Sequence, residues 1–365
     1  MKKLFCFVLL LPMFFVTAYA ENIDKEFANM TGIYEIENAL GEEEKEISGE
    51  LRLDGKLDVQ GAFKRMLSNI KEKALDIIRT ELKFVLVILA ISILCALACS
   101  LCTEGNISDY IQIAGCCTVA YMLSGTMDGI ISQAINAINQ LSDYSRAAMP
   151  AIFTAAAACG AVSSASVKYA VACMAMDFFM TAARNFIIPL IYAYLAMSLS
   201  SSIFDNSMLR SGAKLCKSIA VMLMTAICIG FSAYIGMSGI IAGSADAMAV
   251  KTAKTVISNS LPVVGGIIAD SASVVLASAI LIKNSAGVFS LIAVCAMCIG
   301  PFAVLSVKIL LYKAVSAAAE MLPGGRISGL LNSMGNAAAM LMGLLGSCGI
   351  MLFISIMSGI KVVNL

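Results

Sequence analysis

Phe84-Val85-Leu86-Val87-Ile88-Leu89-Ala90-Ile91-Ser92-Ile93-Leu94-Cys95-Ala96-Leu97-Ala98-Cys99-Ser100-Leu101 is an unbroken run without a single charge. A helix of that length is about 27 Å long, close to the roughly 30 Å hydrocarbon core of a bilayer. A helix on the surface of a soluble domain keeps one polar face, and this run has none. It is therefore read as a membrane span, and it sets the reading of everything on either side.

Upstream, Phe63, Leu67, Ile70, Ala74, Ile77, Ile78 and Leu82 recur at three- and four-residue spacing with charges between them. That pattern predicts an amphipathic helix leading directly into the span, lying on the membrane surface or packed on a partner. Residues 21–60 are acidic and poor in large apolar side chains, which predicts a flexible or weakly folded segment. Residues 21–83 hold 15 acids and 10 bases. Further back, Met1-Lys2-Lys3, the short apolar run Leu4–Val16 and the small residues Ala18 and Ala20 make a signal-peptidase pattern, with cleavage expected before Glu21. Three parts follow: a signal peptide (1–20), an exported acidic segment with an amphipathic helix (21–83), and a multi-span domain (84–365).

Downstream, residues 84–365 carry only 22 charges. Over the whole chain 60% of residues are hydrophobic and 13% charged, about half the charge of an average soluble domain. Further spans are expected at Ile111–Ile131, Met149–Cys173, Asn185–Phe204 (kinked near Pro189), Leu215–Ile241, Val263–Ile282, Gly287–Leu311 and Met334–Ile360. The fold class is all-α, a polytopic membrane protein with about seven or eight transmembrane helices plus amphipathic interfacial helices. Arg210, Lys214 and Lys217, and again Lys308 and Lys313, mark cytoplasmic loops. Counting every candidate from an external N-terminus puts 205–217 on the wrong side. One earlier segment must then be re-entrant, doubled or absent, and Met149–Cys173, which is rich in Ala, Ser and Gly, is the suspect.

Composition also removes chemistry. The chain has no histidine, which takes away the commonest general base and metal ligand, and with it His-Glu-x-x-His and Ser–His arrangements. No Walker-type loop is present. No cofactor or metal is expected, and a net charge of +1 indicates no nucleic-acid partner. None of the 13 cysteines falls in 21–83, and the remainder past the leader sit in apolar stretches as packing residues.

Three joints repeat a theme: Met149-Pro150, Leu261-Pro262 and Leu322-Pro323 each bring an amphipathic helix to a small-residue segment. Pro262 is followed by Gly265 and Gly266, and Pro323 by Gly324 and Gly325. Proline interrupts a helix, and opened backbone at membrane depth is tolerated only where protein or a cavity surrounds it. Ordinary kinks and close packing through small residues are the competing reading. Asp270 stands within an otherwise apolar stretch. It is either a pathway residue or a structural aspartate near a helix end, hydrogen-bonded by Ser271, Ser273 or Asn259.

The block Ser260-Leu261-Pro262-Val263-Val264-Gly265-Gly266, then Asp270, then Leu281-Ile282-Lys283-Asn284-Ser285-Ala286-Gly287 resembles the stage III sporulation protein AE family. The order of parts is similar too, through Leu322-Pro323-Gly324-Gly325 before the last span. The resemblance implies a multi-pass subunit in the mother-cell membrane around a forespore, with its N-terminal segment outside the cytoplasm. It also implies a channel or scaffold role with other stage III A sporulation proteins and stage II sporulation protein Q, needed for endospore formation. No catalytic residue comes with it, so a non-enzyme is expected, in contact with membrane lipid and forming a homo-oligomer. The rival reading is a stand-alone secondary transporter or permease.

Overall fold

The apolar run at 84–101 is the end of a much longer helix. The computed structural model describes residues 33–48, 59–101, 105–158, 162–260, 265–322 and 326–361. Two short helices, α1 (Ile33–Asn38) and α2 (Glu42–Ser48), precede α3 (Val59–Leu101), which joins the amphipathic stretch to the span without a break. Then come α4 (Gly105–Ala158), α5 (Val162–Ala182), a π-helical turn (Ala183–Ile187), α6 (Ile188–Phe204), α7 (Ser207–Ser260), α8 (Gly265–Glu320) and α9 (Arg326–Lys361). No strand occurs among the described residues.

The last helix is the centre of the molecule. Leu330, Leu331, Met334, Ala337, Ala338, Leu341, Leu344, Leu345, Cys348, Met351 and Leu352 are all fully buried and form one broad closed face of α9, while Asn332, Gly343 and Ile350 are exposed on its other side. It packs on α4, α5, α6, α7 and α8, most extensively on α8. Gly335 faces the Lys313 stem, Gly346 the Phe302 ring and Gly349 the Cys298 sulfur, so α8 and α9 run antiparallel. A Cβ on Gly287 would run into Ile360, which marks where α9 ends beside α8.

These contacts order the whole chain. One end of the bundle gathers the α3/α4, α6/α7 and α8/α9 turns. There Arg326 reaches Asp109 and Ile203, and Cys99 reaches the Ser108 carbonyl. The other end holds the α4/α5 turn and the end of α9, where Gly359 touches Ile152 and Lys168 reaches Ser358. The described residues therefore pass between the ends six times: α3, α4, α5 with α6, α7, α8 and α9.

Several expectations are corrected. Among the described residues five helical segments, not seven or eight, are long and apolar enough to cross a membrane: Ile77–Leu101, Ala165–Phe204, Ser207–Ile235, Ala286–Glu320 and Arg326–Ile360. Ile111–Ile131 falls inside α4, whose Gly, Ser and Asp positions dilute its hydropathy. Met149–Cys173 is not a span of its own. It is divided between the end of α4 and the start of α5, and α5 continues through the π turn into α6. Val263–Ile282 was expected to be separate from Gly287–Leu311, yet Gly265 to Glu320 is one helix. The supposed 205–217 loop shrinks to Asp205-Asn206, so its basic residues stand on the first turns of α7. Within the segment expected to be weakly folded, Ile36 and Leu40 sit in the main core, four residues apart, with α1 on α4 and α2 on α8.

Candidate functional site

Of the positions singled out in the sequence, the structure describes few side chains. Asp270, Gly265 and Gly266 belong to the first turns of α8, and their surroundings lie outside the described residues. Pro262, Pro323, Gly324 and Gly325, and the cleavage residues Ala18 and Ala20, also lie outside them.

Pro150 is described, and it does not do what its position suggested. The helix runs straight through it from Gly105 to Ala158. Proline removes one N–H and crowds the preceding turn. The Thr154 hydroxyl donates to the Pro150 carbonyl at 2.8 Å, a local bond that bends helices without ending them. Pro189 acts differently. It sits at the start of α6 directly after the π turn, where the wider register absorbs its missing donor.

Among the described residues, the most enclosed charged side chains have partners. Lys308 on α8 meets Glu81 on α3 at 2.7 Å, with side chains only 12% and 15% exposed. Both residues fall within segments apolar enough to span. Lys168, buried on α5, points its ammonium at the Ser358 carbonyl at 3.5 Å. Ser358 lies in the last turn of α9, where unpaired carbonyls favour a cation. Lys313 donates to Asn332 and Asn336 on α9 at 2.8 and 2.9 Å.

At the end that gathers three turns, Arg326 pairs with Asp109 at 3.0 Å and donates to the Ile203 carbonyl at 3.4 Å. One guanidinium thereby ties the start of α9 to the start of α4 and the end of α6. Beside it, Asp205 adopts the left-handed conformation (φ 48°) that ends α6, a conformation a short polar side chain tolerates. The Asn206 side chain accepts from the Met208 N–H at 2.8 Å and so opens α7 as a cap.

A polar seam runs along one outer side. Arg146 approaches Asp177 at 3.6 Å, Arg184 in the π turn donates to Asn139, and Tyr192 donates to Asp128 at 3.5 Å. The partners climb α4 in one direction and α5–α6 in the other. No group of three or more His, Cys, Asp or Glu among the described residues could hold a metal ion. Orientation, charge compensation and close helix packing are what this arrangement offers.

The stage III sporulation protein AE family model matches residues 48–362, a range that takes in α3 to α9, the entire bundle. The chain belongs to the stage III sporulation protein AE family. Stage III sporulation protein AE of Bacillus subtilis (strain 168) is 25% identical over 228 residues, covering 62% of this chain and 57% of that relative. The match thus spans a little over half of the relative's length. No solved structure matches. Membership of a stage III sporulation family supports a sporulation role, and five described helical segments have the length and composition to cross a membrane. The pairs Glu81–Lys308, Arg326–Asp109 and Arg184–Asn139 escaped the sequence reading. Their partners are too far apart in the chain for any local spacing to reveal.

Proposed function

We propose that this chain is a non-enzymatic channel or scaffold subunit of the complex joining mother cell to forespore, needed for endospore formation. Its partners in that reading are the other stage III A sporulation proteins and stage II sporulation protein Q. The observation that carries it is the family match across the whole six-pass bundle. The bundle supports a structural role, because its most enclosed described charges, Glu81, Lys308 and Lys168, hold helices together.

The proposal includes an orientation. The signal peptide exports the N-terminal segment, so the end of the bundle with the α6/α7 and α8/α9 turns faces the cytoplasm. Arg210, Lys214, Lys217, Lys313 and Arg326 are at that end, as the bias of basic residues toward the cytoplasm requires. Three passes precede the α6/α7 turn, which removes the conflict that four separate spans would create.

The test is genetic and biochemical. A spore-former lacking its own family member should regain heat-resistant spores when given this chain, and a tagged copy should co-purify with stage III A proteins from sporulating cells. Normal sporulation without any family member, or purification of the chain alone, would sink the reading. A stand-alone permease is the second reading, and it draws on the π turn midway along Ala165–Phe204, since irregular helices at membrane depth accompany transport sites. It requires solute uptake by the isolated protein in liposomes.

A further inference from the structure

We propose that the outer face of α4 is turned to water rather than lipid, lining a passage enclosed by several copies of this chain. The inference deepens the channel reading above and rests on it for the bundle's place in the membrane.

Depth comes first. Gly115 of α4 lies against Cys95 and Ile327, and Ile152 lies against Gly359. Residues 115–152 of α4 therefore run beside almost the full length of Arg326–Ile360, a segment apolar enough to span. The inner face of α4 is apolar and closed: Val119, Leu123, Ile130, Ala134, Leu141 and Tyr144 are buried to within 1%.

The outer face is the opposite. Ser132, Gln133, Asn136, Gln140, Asp143 and Arg146 are all exposed, and with Asp128 they extend about 27 Å along the axis. The other outer helices in the same bundle look different. On α3 the exposed side chains include Leu86, Leu94 and Leu97, and on α7 Val221, Met222 and Ile229. Those faces suit acyl chains. The α4 face does not, because polar groups left unpaired in hydrocarbon cost several kcal/mol each. The polar seam with Asp177, Arg184 and Tyr192 widens the same side onto α5 and α6. Gly125 and Gly129 add bare backbone there, with nothing within 4 Å of where a Cβ would stand.

Water on this face cannot be running through the bundle, whose centre is filled by α9. It must lie outside one bundle and be walled in by further protein. A second copy supplies the same wall. The face carries both signs, Asp143 and Asp177 against Arg146 and Arg184, so copies repeated around an axis do not confront a single-sign field.

The test uses the full chain in liposomes, with the exposed Cys117 replaced by serine and one cysteine added. Labelling by a charged, membrane-impermeant methanethiosulfonate is compared for Asn136→Cys and Leu94→Cys. The expected result is at least about tenfold faster labelling at Asn136→Cys, with a bismaleimide joining Asn136→Cys copies into covalent multimers. Equal rates overturn the proposal, and so does fast labelling that leaves only monomers after crosslinking. If Asn136→Cys does not insert, Gln140→Cys one turn along serves instead. The measurement needs no other sporulation protein, so its failure leaves the sporulation assignment standing, and failed complementation in cells leaves this result untouched.

Discussion

Glu81 and Lys308 show how a charge survives inside an apolar bundle. Each is nearly enclosed, and each finds its partner on the other helix. Removing one partner leaves the other desolvated and unpaired, which costs about 3–5 kcal/mol for buried pairs. Glu81→Ala should therefore lower the thermal midpoint of the detergent-solubilised protein sharply. The double variant Glu81→Leu with Lys308→Met should recover most of the loss, and a double variant as unstable as the single would refute the pairing. Asp270 calls for a different experiment. Asp270→Ala should leave the protein level near normal, while heat-resistant spores decline. If Asp270→Asn restores them, hydrogen bonding is the role; if it fails with normal protein level, the charge is. Wild-type sporulation in both variants ends the case for Asp270.

At the scale of elements, the sequence was readable wherever one period ran unchallenged. The three- and four-residue spacing from Phe63 to Leu82 and the uncharged run after it are the two halves of α3, and Met334–Ile360 is the heart of α9. Helix ends were not readable in the same way. Pro150 looked like a joint, yet Thr154 and the surrounding core carry α4 across it. Gly265–Glu320 looked like two spans, because the polar step at Lys283-Asn284 resembles a loop although helix continues through it. The Asp205-Asn206 turn was hidden inside a basic stretch. Glycines also separate into two kinds that composition cannot distinguish. A Cβ on Gly359 would stand 2.7 Å from Ile152, whereas one on Gly125 would meet nothing. Gly359→Ala should consequently destabilise the protein, and Gly125→Ala should stabilise it by about 0.5–1 kcal/mol through reduced chain entropy. Thermal unfolding of the two variants side by side checks this, and a loss at Gly125→Ala would contradict the open site.

The topology of the whole molecule follows from counting passes rather than hydrophobic peaks. Peaks gave a conflict because Met149–Cys173 counted as a span of its own, although it is divided between the end of α4 and the start of α5. Six passes bring the end of α9 back to the end of the bundle from which α3 enters, and they put Asn206 at the opposite end. With the N-terminal segment exported, a reporter fused after Lys361 must be outside and one inserted at Asn206 inside. Alkaline phosphatase should be active at Lys361 and inactive at Asn206, and a fluorescent protein that folds only in the cytoplasm should show the reverse. The pattern tests pass number and orientation separately. Both sites on one side would mean an odd number of passes between Asn206 and Lys361 is wrong, whichever way the protein inserts. Opposite sides with the signs exchanged would preserve the bundle but reject the exported N-terminal segment, and the basic residues on the first turns of α7 would then stand on the outer surface against the usual charge bias.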